Sequence, residues 1–287
     1  MRGHKTIIMF SIGSKQKKLK MIWQVQKNGR ISHLVGTAHF FPYSFRNSLR
    51  RCLQNARVVM FEGPLDDHNM ARVREAGIDR ETSYHLFDDL DDETIVGITG
   101  ALIPVCRMRN STYFLNFCRD SLKETVYDLV KGMHPWLAFF TLWSTYLQRN
   151  GWAYSVDMEG FSVAQELGKK IIFLEAIEEQ IKVLGNISHE KITYFLKQVD
   201  RWETLANDYV KSYLKGDLEK LRLSGIRFPS RHHTIIDHRD EIFFERMRAE
   251  LVQGDVVVFL GAPHLKGMSR LLLADGYQVK GPRLPQQ

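Results

Sequence analysis

The chain has 287 residues, of which 44% are hydrophobic and 25% charged, so disordered, collagen-like and low-complexity classes are excluded. At about 150 residues per domain, the length allows one large domain or two small ones. Forty Lys and Arg against 33 Asp and Glu leave a formal charge of +7. Spread over the whole chain, that charge tolerates an anionic ligand but does not mark a nucleic-acid binder, which concentrates positive charge on one face or helix.

The N-terminal stretch carries Arg2, His4 and Lys5, then a short apolar run from Ile7 to Ile12, then Lys15, Lys17 and Lys18. The run is at the lower limit for a secretory signal and has the wrong flank, so residues 1–20 read as a tail or first strand. Residues 21–39 read as a hairpin around Asn28-Gly29. A helix is predicted from Tyr43 to Ala56, then a buried strand over Arg57 to Phe61. Residues 66–150 show helical periodicity, as in Ser121–Lys131 and Pro135–Arg149, and are expected to be a helical insertion partly covering the site. Pro135 to Leu147 is the longest apolar stretch there, but a membrane helix needs about 20 such residues.

From Val156 onward, helices alternate with strands. A helix over Asp157 to Leu167 stops at Gly168, and a strand over Lys170 to Leu174 follows. Helices fill residues 175–253, with breaks near Gly185, Gly216 and Pro229. Asp255 to Leu260 is the clearest strand, followed by a helix over Leu265 to Ala274 and a last strand over Tyr277 to Lys280. The order predicts an α/β fold with a mixed, mainly parallel sheet opened by a hairpin and flanked by helices. Cys52, Cys106 and Cys118 are odd in number and form no CxxC pair. They are expected to be reduced, buried thiols in a cytoplasmic protein.

The chemistry gathers at strand ends. Ile31 to Val35 runs into Gly36-Thr37-Ala38-His39, and Asp255 to Leu260 runs into Gly261-Ala262-Pro263-His264. Two further strands end in carboxylates, Glu62 and Glu175. Ligands of open α/β sheets bind beyond the carboxyl ends of the strands. If the four strands are parallel, His39, Glu62, Glu175 and His264 share one edge. Two imidazoles and one or two carboxylates there suit a divalent ion that activates water. Each signal alone is weak, and Glu175 also reads as an ordinary helix N-terminal charge beside Glu178 and Glu179.

A second signal is Arg239, which falls inside the apolar stripe of Ile235, Ile242, Phe243 and Met247 and so calls for a partner or a function. Arg246 shares that face, which leaves snorkelling to water as the alternative for such a long side chain. His232, His233 and His238 lack metal-site spacing and read as a solvated cluster. Trp136, beginning an aromatic-rich helix, reads as core or pocket wall. No GxSxG elbow, P-loop or dinucleotide fingerprint is present.

Together these motifs resemble the TraB/PrgY/GumN family, which is grouped with the Tiki proteases and with erythromycin-esterase and ChaN-like proteins. The likeness covers roughly residues 21–281. It rests on GTAH at 36–39, VVMFEG at 58–63, Pro135-Trp136, Asp157, LEAIEEQ at 174–180, Arg239, GAPH at 261–264 and the closing Gly276-Tyr277. The sequence departs from the family's usual pattern at Pro64, where an acidic residue is common, and at Asp240, where Asn is common.

The resemblance implies a peptide-directed, metal-dependent hydrolase. His39, His264 and Glu62 would hold manganese, cobalt, iron or zinc, with Glu62 as ligand or general base. Arg239 would stabilise an oxyanion or bind a substrate carboxylate, and Glu175 would orient a histidine. Trp136 and Asp157 would join Arg239 in contacting substrate. The alternatives are a non-catalytic peptide-sequestering protein and a metal-independent esterase using a histidine as base. The expected partner is a peptide or small molecule, with no nucleic acid and no membrane segment, in any oligomeric state. Because His39 and His264 lie near opposite ends of the chain, a shared site requires residues 21–287 to form one domain.

Overall fold

The structure is a computed structural model and describes residues 15–79, 85–103, 122–225, 228–231 and 233–281. The expectations for Ile7–Ile12, Cys106, Cys118 and His232 lie outside the described residues.

Strands β1 (Ile22–Lys27) and β2 (Arg30–Thr37) pair antiparallel in register from Ile22 opposite Val35 to Lys27 opposite Arg30. The turn between them puts Asn28 and Gly29 at φ of +50° and +75°, the left-handed geometry that matches strand twist in a two-residue hairpin. The remaining strands are β3 (Val58–Phe61), β4 (Lys170–Phe173), β5 (Val256–Gly261) and β6 (Gln278–Lys280). The sheet order is β4-β3-β5-β2-β1-β6. The four neighbours β4, β3, β5 and β2 are parallel, and β1 runs antiparallel to both β2 and β6. The expected mixed, mainly parallel sheet is therefore the one observed. The central strands β3 and β5 are apolar at almost every position because helices cover both faces.

The helices are α1 (Arg46–Leu53), α2 (Asp67–Ala76), α3 (Asp92–Leu102), α4 (residues 122–130), α5 (Pro135–Arg149), α6 (Val156–Glu166), α7 (Ile177–Gly185), α8 (His189–Leu196), α9 (Trp202–Lys215), α10 (Leu218–Gly225), α11 (His233–Gln253) and α12 (Leu265–Ala274). Phe259 of β5 meets α6 at Gly160, whereas Gly36 of β2, opposite the next β5 residue, meets Leu265 of α12. Alternation along the strands thus sends α6 and α12 to opposite faces. Phe61 and Phe259 stack at 4.6 Å within the sheet layer. One buried apolar cluster runs from Leu19 to Tyr277.

Several boundaries shift from the sequence reading by a few residues. The helix expected from Tyr43 begins at Arg46. Ser44 bridges to Gln16, and the Phe45 amide donates to Glu159 at 2.8 Å, which holds these residues out of the helix. Strand β5 begins at Val256 because Asp255 sits at φ +53°. The last strand begins at Gln278 rather than Tyr277. Cys52 is half-buried and free, and burial pushes its thiol up to about 11. Among the described residues, no helix is long and apolar enough to cross a membrane.

Candidate functional site

The parallel order β4-β3-β5-β2 puts Glu175, Glu62, His264 and His39 just past the carboxyl ends of four adjacent strands. Beyond the β3–β4 pairing, the backbone ladder continues: the Glu175 amide donates to the Glu62 carbonyl at 2.7 Å. The two carboxylates are therefore fixed side by side before their side chains choose partners.

Arg239 joins them. Its Nη2 donates to Glu62 Oε2 at 3.0 Å and to Glu175 Oε1 at 2.5 Å, while Nε donates to Glu175 Oε2 at 3.2 Å. The fork on Glu175 is the bidentate geometry for which guanidinium is suited. The guanidinium also lies 4.9 Å from the centre of the Phe243 ring. Arg246, its rival on the helix, instead reaches out to Glu179 and the Leu174 carbonyl.

Burial pushes the Glu62 pKa up, but Arg239, His264, the Gly261 amide and His39 outweigh it and hold it at about 2. Gly261 N–H donates directly to Glu62 Oε1. Glu175 goes the other way: its burial raises the pKa despite the Arg239 charge.

His264 is buried and held by Asp240, with Nδ1 2.7 Å from Oδ1. Its Nε2 lies 3.4 Å from Arg239 Nη1 and 3.8 Å from Glu62 Oε1. Guanidinium nitrogens only donate, so Nε2 is the acceptor and the ring proton sits on Nδ1, facing Asp240. Burial raises the Asp240 pKa, with His264 opposing. Helix α12 can approach this pair because residue 267 is glycine: a Cβ there would collide with Asp240 Oδ2.

His39 is built differently. The Val156 amide donates to the Ala38 carbonyl at 3.0 Å, and Phe41 pairs with Tyr154. This pairing sets Asp157, at the start of α6, beside His39, with Oδ2 3.0 Å from Nδ1. The contact is a close ion pair rather than an aligned hydrogen bond. The Asp157 charge raises the His39 pKa to about 9 against the opposing effects of burial and Arg231. The side chain is 73% exposed yet crowded by charged groups, because it projects into a cavity. The Tyr213 hydroxyl donates to the Gly36 carbonyl at 2.6 Å and braces the first GxxH loop.

That cavity has a volume of about 1300 Å³ and joins all but one of the candidate site residues: His39, Glu62, Trp136, Asp157, Arg239 and His264 line it. Glu175 sits just behind, reaching the cavity through Arg239. One end is polar, and the walls beyond are aromatic and aliphatic, as binding sites commonly are.

The divalent ion expected from the sequence can be tested against this donor set. Among the described residues, no three His, Cys, Asp or Glu side chains are grouped to hold a metal ion. Both strand-end carboxylates bond the Arg239 guanidinium, which also faces the His264 lone pair. As arranged, the residues fit a guanidinium-centred site and do not fit a metal.

Residues 21–281 match the family model described as the TraB/PrgY/gumN family. The chain belongs to this family. No curated protein matches it. In this TraB/PrgY/gumN member, Asp240 accepts the His264 Nδ1 proton, while Pro64 brings no side-chain ligand.

The sequence reading passed over Arg231, Tyr209 and Tyr213, which surround the same end of the cavity. Tyr213 lies on α9 and Arg231 in the loop before α11, so neither a strand end nor a charged stripe marked them.

Proposed function

We propose that this chain is a metal-independent hydrolase that cleaves an amide or ester carbonyl, with His264 as the proton acceptor. The observation that carries the reading is the Asp240–His264–Arg239 array. A carboxylate fixes the imidazole tautomer, Nε2 presents its lone pair at the cavity, and a guanidinium lies beside it.

Water attacks the carbonyl carbon and gives its proton to His264 Nε2. The carbonyl π electrons move onto oxygen, and Arg239 stabilises the resulting charge. Collapse breaks the bond to the leaving nitrogen or oxygen, which takes a proton from His39. With a pKa of about 9, His39 carries that proton at neutral pH. Solvent then takes up the proton gained by His264 and replaces the one lost by His39. Glu62 and Glu175 hold Arg239 in place, and Asp157 keeps His39 charged.

The test is turnover of short peptides and acyl esters by purified protein, with and without a chelator. Turnover that survives chelation and is lost in folded His264→Ala supports the reading. Absence of turnover on both substrate classes, with saturable binding retained, would replace it by a sequestering protein. Stoichiometric metal in the wild type, lost in His39→Ala and His264→Ala, would replace it by the metal-centred hydrolase that the family resemblance implies.

A further inference from the structure

The cavity extends well beyond the reacting groups. Trp136, Phe140, Trp143 and Leu147 line it from α5. Their spacing of four, three and four residues keeps them on one helix face, and at 1.5 Å per residue the stripe is about 16 Å long. Phe195 of α8 and Phe228 complete an aromatic wall, with Trp143 edge-on to Phe195 at 5.2 Å. Along this length the wall is built mainly from helices, whose backbone groups bond within the helix. A peptide laid there would find no strand edge for its own amides, whereas an aliphatic chain asks for none.

Arg231 stands at the polar end. It lines the cavity and is half-buried, with its guanidinium carbon 4.8 Å from the centre of the Tyr209 ring and 5.1 Å from that of Phe228. Arg239 and Arg46 line the same cavity and pair with carboxylates, whereas Arg74, which also lines it, is exposed to solvent. Arg231 has no carboxylate partner among the described residues. A half-buried guanidinium without a counter-charge is a receptor for one, and its planar fork matches a carboxylate. Arg231 lines the same cavity as His39, Arg239 and His264.

We propose that the substrate is a long-chain N-acyl amino acid, whose apolar chain lies along α5 and whose carboxylate is bound by Arg231. The scissile amide then falls between the two anchors, beside Arg239 and His264. Water adds across the C–N bond, releasing a fatty acid and a free amino acid. The assignment rests on the preceding reading that this cavity is the substrate site.

Calorimetric binding of N-dodecanoylglycine, N-dodecanoylglycinamide and N-acetylglycine to the full-length protein tests it. The acid is expected to bind about ten- to hundredfold more tightly than the neutral amide, a typical range for a hydrogen bond to a charged group. N-Acetylglycine is expected to bind far more weakly than either. Arg231→Gln should abolish the preference for the acid while leaving the amide's affinity unchanged, and Arg231→Lys should keep part of it. Matching thermal melts would show that both variants are folded. Equal wild-type affinity for acid and amide, or a preference that survives Arg231→Gln, would overturn the proposal, as would N-acetylglycine binding as tightly as the long-chain ligands. Selective binding without turnover would sink the hydrolase reading and the cleavage step, and leave the N-acyl amino acid standing as the ligand. Turnover without the Arg231-dependent preference would do the reverse.

Discussion

Asp157 Oδ2 lies 3.0 Å from His39 Nδ1, and this one contact decides the charge of the first GxxH histidine. Because the Asp157 charge is the largest influence raising the His39 pKa to about 9, Asp157→Asn removes it and leaves Glu62 alone to oppose burial and Arg231. Titration of the His39 ring by NMR should show a midpoint near 9 in the wild type and a clearly lower one in the variant. The folded pKa is raised above its ordinary 6.5, so the ion pair's contribution to stability is full below about pH 6.5 and is lost as pH rises through about 9. A wild-type and variant pair whose stability difference stays constant from pH 6 to pH 10 would contradict this.

Arg239 neutralises two buried carboxylates at once. Removing it in Arg239→Ala leaves Glu62 and Glu175 facing each other without a cation, an uncompensated arrangement of the kind that costs about 3–5 kcal/mol. Adding Glu175→Gln to that variant should recover part of the loss in urea unfolding. Additive effects of the two changes would show that the residues are not coupled.

Glu62 titrates in the opposite sense to His39. Its folded pKa of about 2 lies below its ordinary 4.5, so its contribution is complete above about pH 4.5 and disappears as pH falls towards 2. Glu62→Gln should flatten the stability profile in that window while only slightly weakening the alkaline limb, which Asp157 mainly sets at His39. An acid limb of the same steepness in the variant would assign it to other carboxylates.

Gly267 is the point where α12 passes Asp240. In Gly267→Ala the new methyl group must displace the carboxylate that holds His264, and a misplacement of about 1 Å at a reacting group lowers turnover about a hundredfold. The expected signature is a fall in kcat with little change in KM or melting temperature. Unchanged kcat would show that Asp240 does not position His264.

Much of this was readable before folding. Asn28-Gly29 marked the hairpin, the apolar runs marked β3 and β5, and the residue after each parallel strand, or the GxxH that follows it, marked where polar groups would emerge. Those signals are local: a tight turn and a buried strand are set by a few adjacent residues. The direction and neighbours of the strands then brought His39, Glu62, Glu175 and His264 to one edge, as the chain order suggested.

The choice of partners was not local. Arg239 takes both Glu62 and Glu175 only because β3 and β4 are adjacent and α11 crosses their ends, and that commitment leaves a guanidinium where the motifs alone suggested a metal. Asp157 meets His39 through backbone pairing between residues 38–41 and 154–156. Arg231 gains its meaning only from the aromatic rings around it and from having no carboxylate partner among the described residues. The sequence by itself determined at which strand ends the polar residues His39, Glu62, Glu175 and His264 emerge. The tertiary structure alone decided their partners, because charge and burial depend on neighbours that arrive from distant parts of the chain.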